Sequence, residues 1–146
     1  MSREIKFRAW DNETNKYFEP TYQSYMGRLE ELTIALSGRL QKRTCRGVAD
    51  ESTFHGRYVV EQFTGLKDKN GKDIYEGDIL AWHSNIYRKH DWVGLVLYRG
   101  AGFAVQESDK SYSSPEWLDC ACRKDANIIE VIGNVHDNPE LLEVEK

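Results

Sequence analysis

Asp68-Lys-Asn-Gly71 resembles part of a calcium loop and is the first stretch to test for chemistry. An EF-hand needs oxygen ligands at its first and twelfth positions and glycine at the sixth. Setting Gly71 at the sixth puts Leu66 at the first and Gly77 at the twelfth, and neither supplies an oxygen. The stretch therefore reads as a turn. Cys120-Ala-Cys122 has one residue between its thiols, whereas a zinc half-site has two to four. His83, His90 and His136 could complete such a site only through folding, and Cys45 stands alone. On a strand, residues 120 and 122 would share a face, which suits two small buried side chains. There is no Gly-x-Ser-x-Gly elbow, and Gly100-Ala-Gly102 lacks the third glycine of a dinucleotide fingerprint. Among twenty-four acids no spacing singles out a catalytic pair. No metal, cofactor or catalytic residue is expected.

Nucleic-acid binding has one sequence argument. Arg39, Lys42, Arg43 and Arg46 form a local basic run, and Lys6 and Arg8 lie in the same half of the chain. Small β barrels use such runs, with exposed aromatics such as Trp10 or Tyr17, to hold phosphates and stack bases. The net charge is -4, but residues 1–60 carry +2 and residues 61–146 carry -6. A charged edge strand that resists aggregation explains the same run without a ligand.

The chain has 146 residues, enough for one ordinary core without disulfides. Four Trp, eight Tyr and five Phe supply large buriable area and argue against disorder. No stretch approaches the roughly 18 apolar residues of a membrane helix, and the charged start has no signal-peptide core. Three cysteines suit no disulfide framework. The expected location is cytoplasmic.

The elements that must position these residues read mostly as short strands. Ile5, Phe7 and Ala9 alternate with charged neighbours, residues 11–15 turn, and Lys16-Tyr17-Phe18 returns. Residues 21–28 suggest a short helical turn, followed by a hairpin at Ser37-Gly38; a helix continuing through residue 36 is the competing reading. Residues 47–56 read as a loop. Tyr58 to Phe63 is strongly β, and Asn70-Gly71 signals a type I′ turn. Ile79 to Trp82, Trp92 to Tyr98, Phe103 to Gln106 and Ile128 to Ile132 complete the strands, with a polar loop over 83–91. Trp117 and Leu118 look like an apolar anchor, and Pro139 suits the first position of a short helix. Excess acid near the end, including Asp137, Glu140, Glu143 and Glu145, reads as a solvated terminal helix or tail. The expected class is mainly β: antiparallel strands forming a barrel, SH3-like in the carboxyl half, with one or two short helices.

Three ordered blocks resemble the YopX family: Lys6-Phe-Arg-Ala-Trp-Asp11; Phe63-Thr-Gly-Leu-Lys-Asp-Lys-Asn-Gly-Lys-Asp-Ile-Tyr-Glu-Gly-Asp-Ile79; and Ile129-Glu-Val-Ile-Gly-Asn134 with Asn138-Pro-Glu-Leu141. The resemblance implies a mostly β fold, a phage or prophage setting and no established enzymatic activity. On this reading residues 1–146 form one domain, with hairpins and a variable segment over 1–60 and the motif turn and barrel over 61–146. Trp10, Asp11, Thr64, Gly65, Gly71, Tyr75, Gly77, Asp78, Gly133 and Asn134 are architectural. The tip Lys67, Asp68, Lys69 and Asn70 is a candidate partner surface. The expected function is a non-enzymatic β module that binds a protein partner or itself as a homo-oligomer; the alternative is nucleic-acid binding through Arg39, Lys42, Arg43 and Arg46.

Overall fold

Ile79-Leu80-Ala81-Trp82 is a continuous apolar run, and every residue of it is buried. Such a run suits a strand covered on both faces. The structure, a computed structural model, describes residues 4–23, 27–82, 92–107, 112–123 and 128–142. The loop expected over 83–91, with His83 and His90, lies outside the described residues, as do Glu143 and Glu145. Among the described residues the fold is mostly β, with antiparallel sheets and one α-helix. It divides into two compact units, Met1–Arg8 with Glu61–Lys146, and Ala9–Val60. The chain leaves the first unit within β1 (Phe7–Asp11) and returns within β7 (Tyr58–Lys67).

The second unit begins with the hairpin of β1 and β2 (Lys16–Tyr17), which pairs Trp10 with Tyr17. Asn15 takes the left-handed conformation in the turn between them, at φ 56°, which asparagine tolerates. A four-stranded sheet follows in sequence order: β3 (Thr21–Gln23), β4 (Arg28–Ile34), β5 (Leu40–Thr44) and β6 (Gly47–Asp50).

Two expectations are corrected here. Thr21–Gln23 and the residues from Arg28 onward are strands, not a helical turn, because Tyr22 pairs with Leu29 and Leu32 with Lys42 in antiparallel register. The period of two in residues 29–34 outweighs the helical stripe. Residues 47–56 are not all loop: β6 pairs Val48 with Arg43, and Glu51–Thr53 forms a 3-10 turn capped by Asp50. The hairpin at Ser37-Gly38 is present, with Gly38 at φ 91°.

The larger unit holds the main core. Its five-stranded sheet has the order β12-β11-β10-β9-β13, from β9 (Asp78–Trp82), β10 (Trp92–Arg99), β11 (Gly102–Glu107), β12 (Tyr112–Ser113) and β13 (Ile129–Asn134). The sheet is curled into a half-barrel. The expected SH3-like barrel is thus met at the level of an antiparallel, curled sheet. The helix α1 (Pro115–Ala121) lays Leu118 and Ala121 on Ile74, Leu80, Trp82, Val96, Val105 and Ile129. Ser114 caps it by accepting from Trp117 N–H, and Pro115 occupies the first turn, as such pairs do. This overturns the strand reading of Cys120 and Cys122. Cys120 is an exposed helical residue, and Cys122 sits at the helix end, half-buried. Burial pushes the Cys122 thiol up to about 11.

Candidate functional site

Alternation along β1 brings Arg8 between two buried acids of the larger unit. Its Nε donates to Glu61 Oε1 at 2.8 Å, and its Nη2 to Asp78 Oδ1 at 2.8 Å. The guanidinium also lies over the Tyr75 ring, 4.7 Å from the centroid. Glu61 comes from β7 and Asp78 from the start of β9; their residues are 4% and 1% exposed. His136 closes the group from the turn after β13, with Nε2 3.0 Å from Glu61 Oε2. Tyr75 N–H, in β8 (Asp73–Tyr75), donates to Asp78 Oδ2 at 2.8 Å. Every oxygen of both carboxylates therefore has a protein partner. Burial pushes the Asp78 carboxyl above its usual range, against the pull of Arg8 and Tyr75 N–H.

Two glycines of the quoted motifs make room for this cluster. Gly77 has φ 88°, and a Cβ there would collide with the Glu61 carboxylate. A Cβ on Gly133 would collide with the Asn138 amide. That amide oxygen instead accepts from Asn134 N–H at 3.3 Å, and Asn134 Oδ1 accepts from the N–H groups of His136 and Asp137. The Gly-Asn turn thereby aims His136 at Glu61. A buried, charged and satisfied group of this kind locks strands together; removing one partner is what makes it costly.

The long motif is a second lock. Asp68 is buried, and its Oδ1 accepts from Asn70 and Lys72 N–H while its Oδ2 accepts from Val131 N–H at 3.0 Å. Lys69 N–H donates to Ile129 C=O at 2.8 Å. The hairpin of β7 and β8 is thus pinned to β13. Asn70 is not left-handed; only Gly71 is, at φ 80°. The turn is therefore not type I′ but the three-residue kind, a tight turn followed by a left-handed glycine. Asp68 selects it by taking the amides of Asn70 and Lys72. Thr64 Oγ1 donates to Ile74 C=O at 2.7 Å, and Gly65 adopts φ 90°. Of the candidate partner surface, Asp68 points inward. Lys67, Lys69 and Asn70 are exposed around it, with Lys67 3.9 Å from Asp73 and Lys69 3.6 Å from Glu130. Among the described residues no three His, Cys, Asp or Glu converge on a metal position.

The basic run lies in the second unit, and the structure pairs most of it with acids. Arg39 bonds Asp50 and stands 3.7 Å from Glu51. Lys42 and Arg43 leave opposite faces of β5: Lys42 is 3.9 Å from Glu30, and Arg43 is 2.8 Å from Glu31. Arg46 lies in the turn after β5, beside a shallow cleft that Arg28 and Thr44 also line. Lys6 is bonded to Asp73, 2.6 Å away, in the other unit. Trp10 is buried against Tyr17, at 5.1 Å between centroids, and Asp11 is buried against Arg57 at 3.1 Å.

One face of the β3–β6 sheet has no cover among the described residues. Tyr22, Leu29, Glu31, Arg43 and Val48 share it by register. Tyr22 is 61% and Val48 63% exposed. Between them Glu31 accepts from Tyr22 Oη at 3.2 Å and from Arg43 Nη2 at 2.8 Å. The opposite face carries buried Leu40, and its Lys42 lies over the Tyr58 ring, 5.9 Å from the centroid.

Sequence reasoning passed over Glu61, Arg8 and His136 as a group. One signal was available: Glu61 has the same strand parity as buried Phe63, so a charge sits on an apolar face. Its partners come from residues 53 and 75 positions away, which no local pattern shows.

Comparison with known proteins agrees with this architecture. The family model described as YopX protein matches residues 6–143. The crystal structure of a protein from Enterococcus faecalis is 27% identical, with a TM-score of 0.57, over 97% of this chain and 100% of that one. The crystal structure of protein yopX from Bacillus subtilis is 25% identical, with a TM-score of 0.59, over 99% and 100%. No curated protein matches the sequence significantly.

Proposed function

The chain belongs to the YopX family, and from that premise we propose that it is a non-enzymatic phage or prophage β module that assembles with a second copy of itself in the host cytoplasm. Nothing in the geometry or the relatives indicates an enzymatic activity. The observation that carries the reading is the bare face of the β3–β6 sheet. A sheet buries its apolar face against a second layer, yet here Tyr22 and Val48 stand out in solvent.

The face is also self-complementary in charge. Glu31 and Arg43 sit side by side on it, so a two-fold axis passing between them would set Glu31 of each copy against Arg43 of the other. The face is small beside the roughly 20–30 residues per side of a stable interface, which points to weak association, in the micromolar range. Nucleic acid is the less favoured reading, because Arg39, Lys42 and Arg43 are already paired with acids. Light scattering over a concentration series tests the proposal. Mass should rise with concentration for the wild type and stay monomeric for Val48→Glu. A wild type that is monomeric at all concentrations contradicts it.

A further inference from the structure

Arg28 and Arg46, unlike Arg39, Lys42 and Arg43, have no ion pair among the described residues. Both are exposed, and no bond to a described residue holds either guanidinium. The strand register brings them to one place. Glu30 of β4 pairs with Thr44 of β5, and two residues further along the same register Arg28 comes level with Arg46. Thr44 Oγ1 accepts from Arg46 N–H at 3.2 Å and fixes the backbone of the turn there. Like charges set opposite each other in an antiparallel pair are destabilising, and departures from such local rules gather where function demands them.

The two arginines line a cleft of about 450 Å³ at this end of the β3–β6 sheet, within the Ala9–Val60 unit. Its size lies within the range of small-molecule sites. One acid, Glu30, also lines it, and it stands 3.9 Å from Lys42 on the neighbouring strand. The single negative charge of the lining therefore has a cation of its own, and the two positive charges have no acid. Thr21, Leu29 and Thr44 supply neutral wall.

We propose that this cleft binds a small phosphomonoester by its dianionic phosphate, held between Arg28 and Arg46. A guanidinium matches phosphate oxygens with two parallel N–H groups. A phosphomonoester at neutral pH carries close to two negative charges, one for each arginine. An internal phosphodiester of a nucleic acid carries one, so a strand would leave half of the positive charge unmet. Neither Glu31 nor Arg43 belongs to this lining, so the proposal stands or falls independently of self-association.

The test is a titration of the intact protein, followed by amide NMR. The probes are phenyl phosphate, phenyl sulfate as a singly charged molecule of similar shape, and a single-stranded oligonucleotide without terminal phosphates. Phenyl phosphate should give saturable shifts centred on Arg28, Thr44 and Arg46, and should bind several-fold tighter than phenyl sulfate. That advantage should shrink as pH falls below about 6, where the phosphate takes up its second proton. Arg28→Gln and Arg46→Gln should each weaken binding about ten-fold while leaving the Tm unchanged or higher, since one of two facing like charges is removed. A purely structural role would lower the Tm instead. Lys72→Gln, which removes an equal charge from the other unit, should leave binding unchanged. Absence of saturable shifts at these amides, equal binding of phosphate and sulfate, or full binding by both arginine variants overturns the proposal. So does displacement of phenyl phosphate by an equal concentration of the oligonucleotide, which would make the cleft a nucleic-acid contact.

Discussion

Gly77 and Glu61 compete for one volume: the space where a Cβ of residue 77 would sit is filled by the Glu61 carboxylate. Gly77 is also left-handed, at φ 88°. Its N–H donates to Val96 C=O and its C=O accepts from Val135 N–H, each at 2.8 Å, so it cannot shift away without breaking both bonds. Gly77→Ala should destabilise the protein by about 3 kcal/mol, from a left-handed alanine and overpacking together. Urea unfolding measures it. A loss below about 1 kcal/mol, the cost of a simple helix or strand change, would contradict the shared-volume reading.

Arg8 is the cation common to Glu61 and Asp78. Arg8→Met should cost about 3–5 kcal/mol, because two acids lose their shared partner inside the fold. Arg8→Lys should recover little, since one ammonium cannot reproduce the two directed bonds of the guanidinium. Equal stabilities of the lysine variant and the wild type in chemical denaturation would count against the fork geometry.

Asp78 gives the fold a pH dependence of definite sign. Burial holds its folded pKa above the ordinary 3.8. Its contribution is therefore fully present below the unfolded value and is lost as pH rises through the folded value. Asp78→Asn cannot ionise and escapes that loss. The stability of the wild type minus that of the variant should fall as pH rises from about 4 toward neutrality. Asp11 works in the other direction. Burial raises its pKa, but Arg57 and the N–H groups of Glu13 and Thr14 outweigh burial and hold it low, so its contribution is lost in acid. A difference between wild type and Asp78→Asn that grows with pH would reverse the assignment.

Asp68 ties the motif hairpin to β13 through Val131. Asp68→Ala leaves three N–H groups without their acceptor and should cost about 2–4 kcal/mol, the range for charge-assisted bonds to backbone. Hydrogen exchange should quicken first at Asn70, Lys72 and Val131. Unchanged protection at Val131 would mean that Asp68 does not bridge the two elements.

The strands and many of the turns were legible because their causes are local. Ile79 to Trp82 shows its burial by being apolar throughout, and Ser37-Gly38 shows its turn by its residue types. Residues 21–28 misled because Tyr22 and Leu29 fit a helical stripe as well as they fit facing strands. Asn70-Gly71 misled because the turn type is set by Asp68, whose side chain takes the loop amides. Gly77 and Asp78 were legible as architecture, but their reason was not. The group that needs them combines Arg8, Glu61 and His136 from distant strands and turns. The basic run looked like a surface feature until the register set Glu31 beside Arg43 and Asp50 within reach of Arg39.

Self-association through the bare sheet face is most directly tested by mixing two charge-reversed variants. Glu31→Arg and Arg43→Glu should each be monomeric in sedimentation, because like charges meet across the two-fold axis. Mixed in equal amounts, they should form a heterodimer at least as tight as the wild-type pair. Single variants that self-associate as the wild type does, or a mixture that stays monomeric while the wild type pairs, would contradict assembly through Glu31 and Arg43.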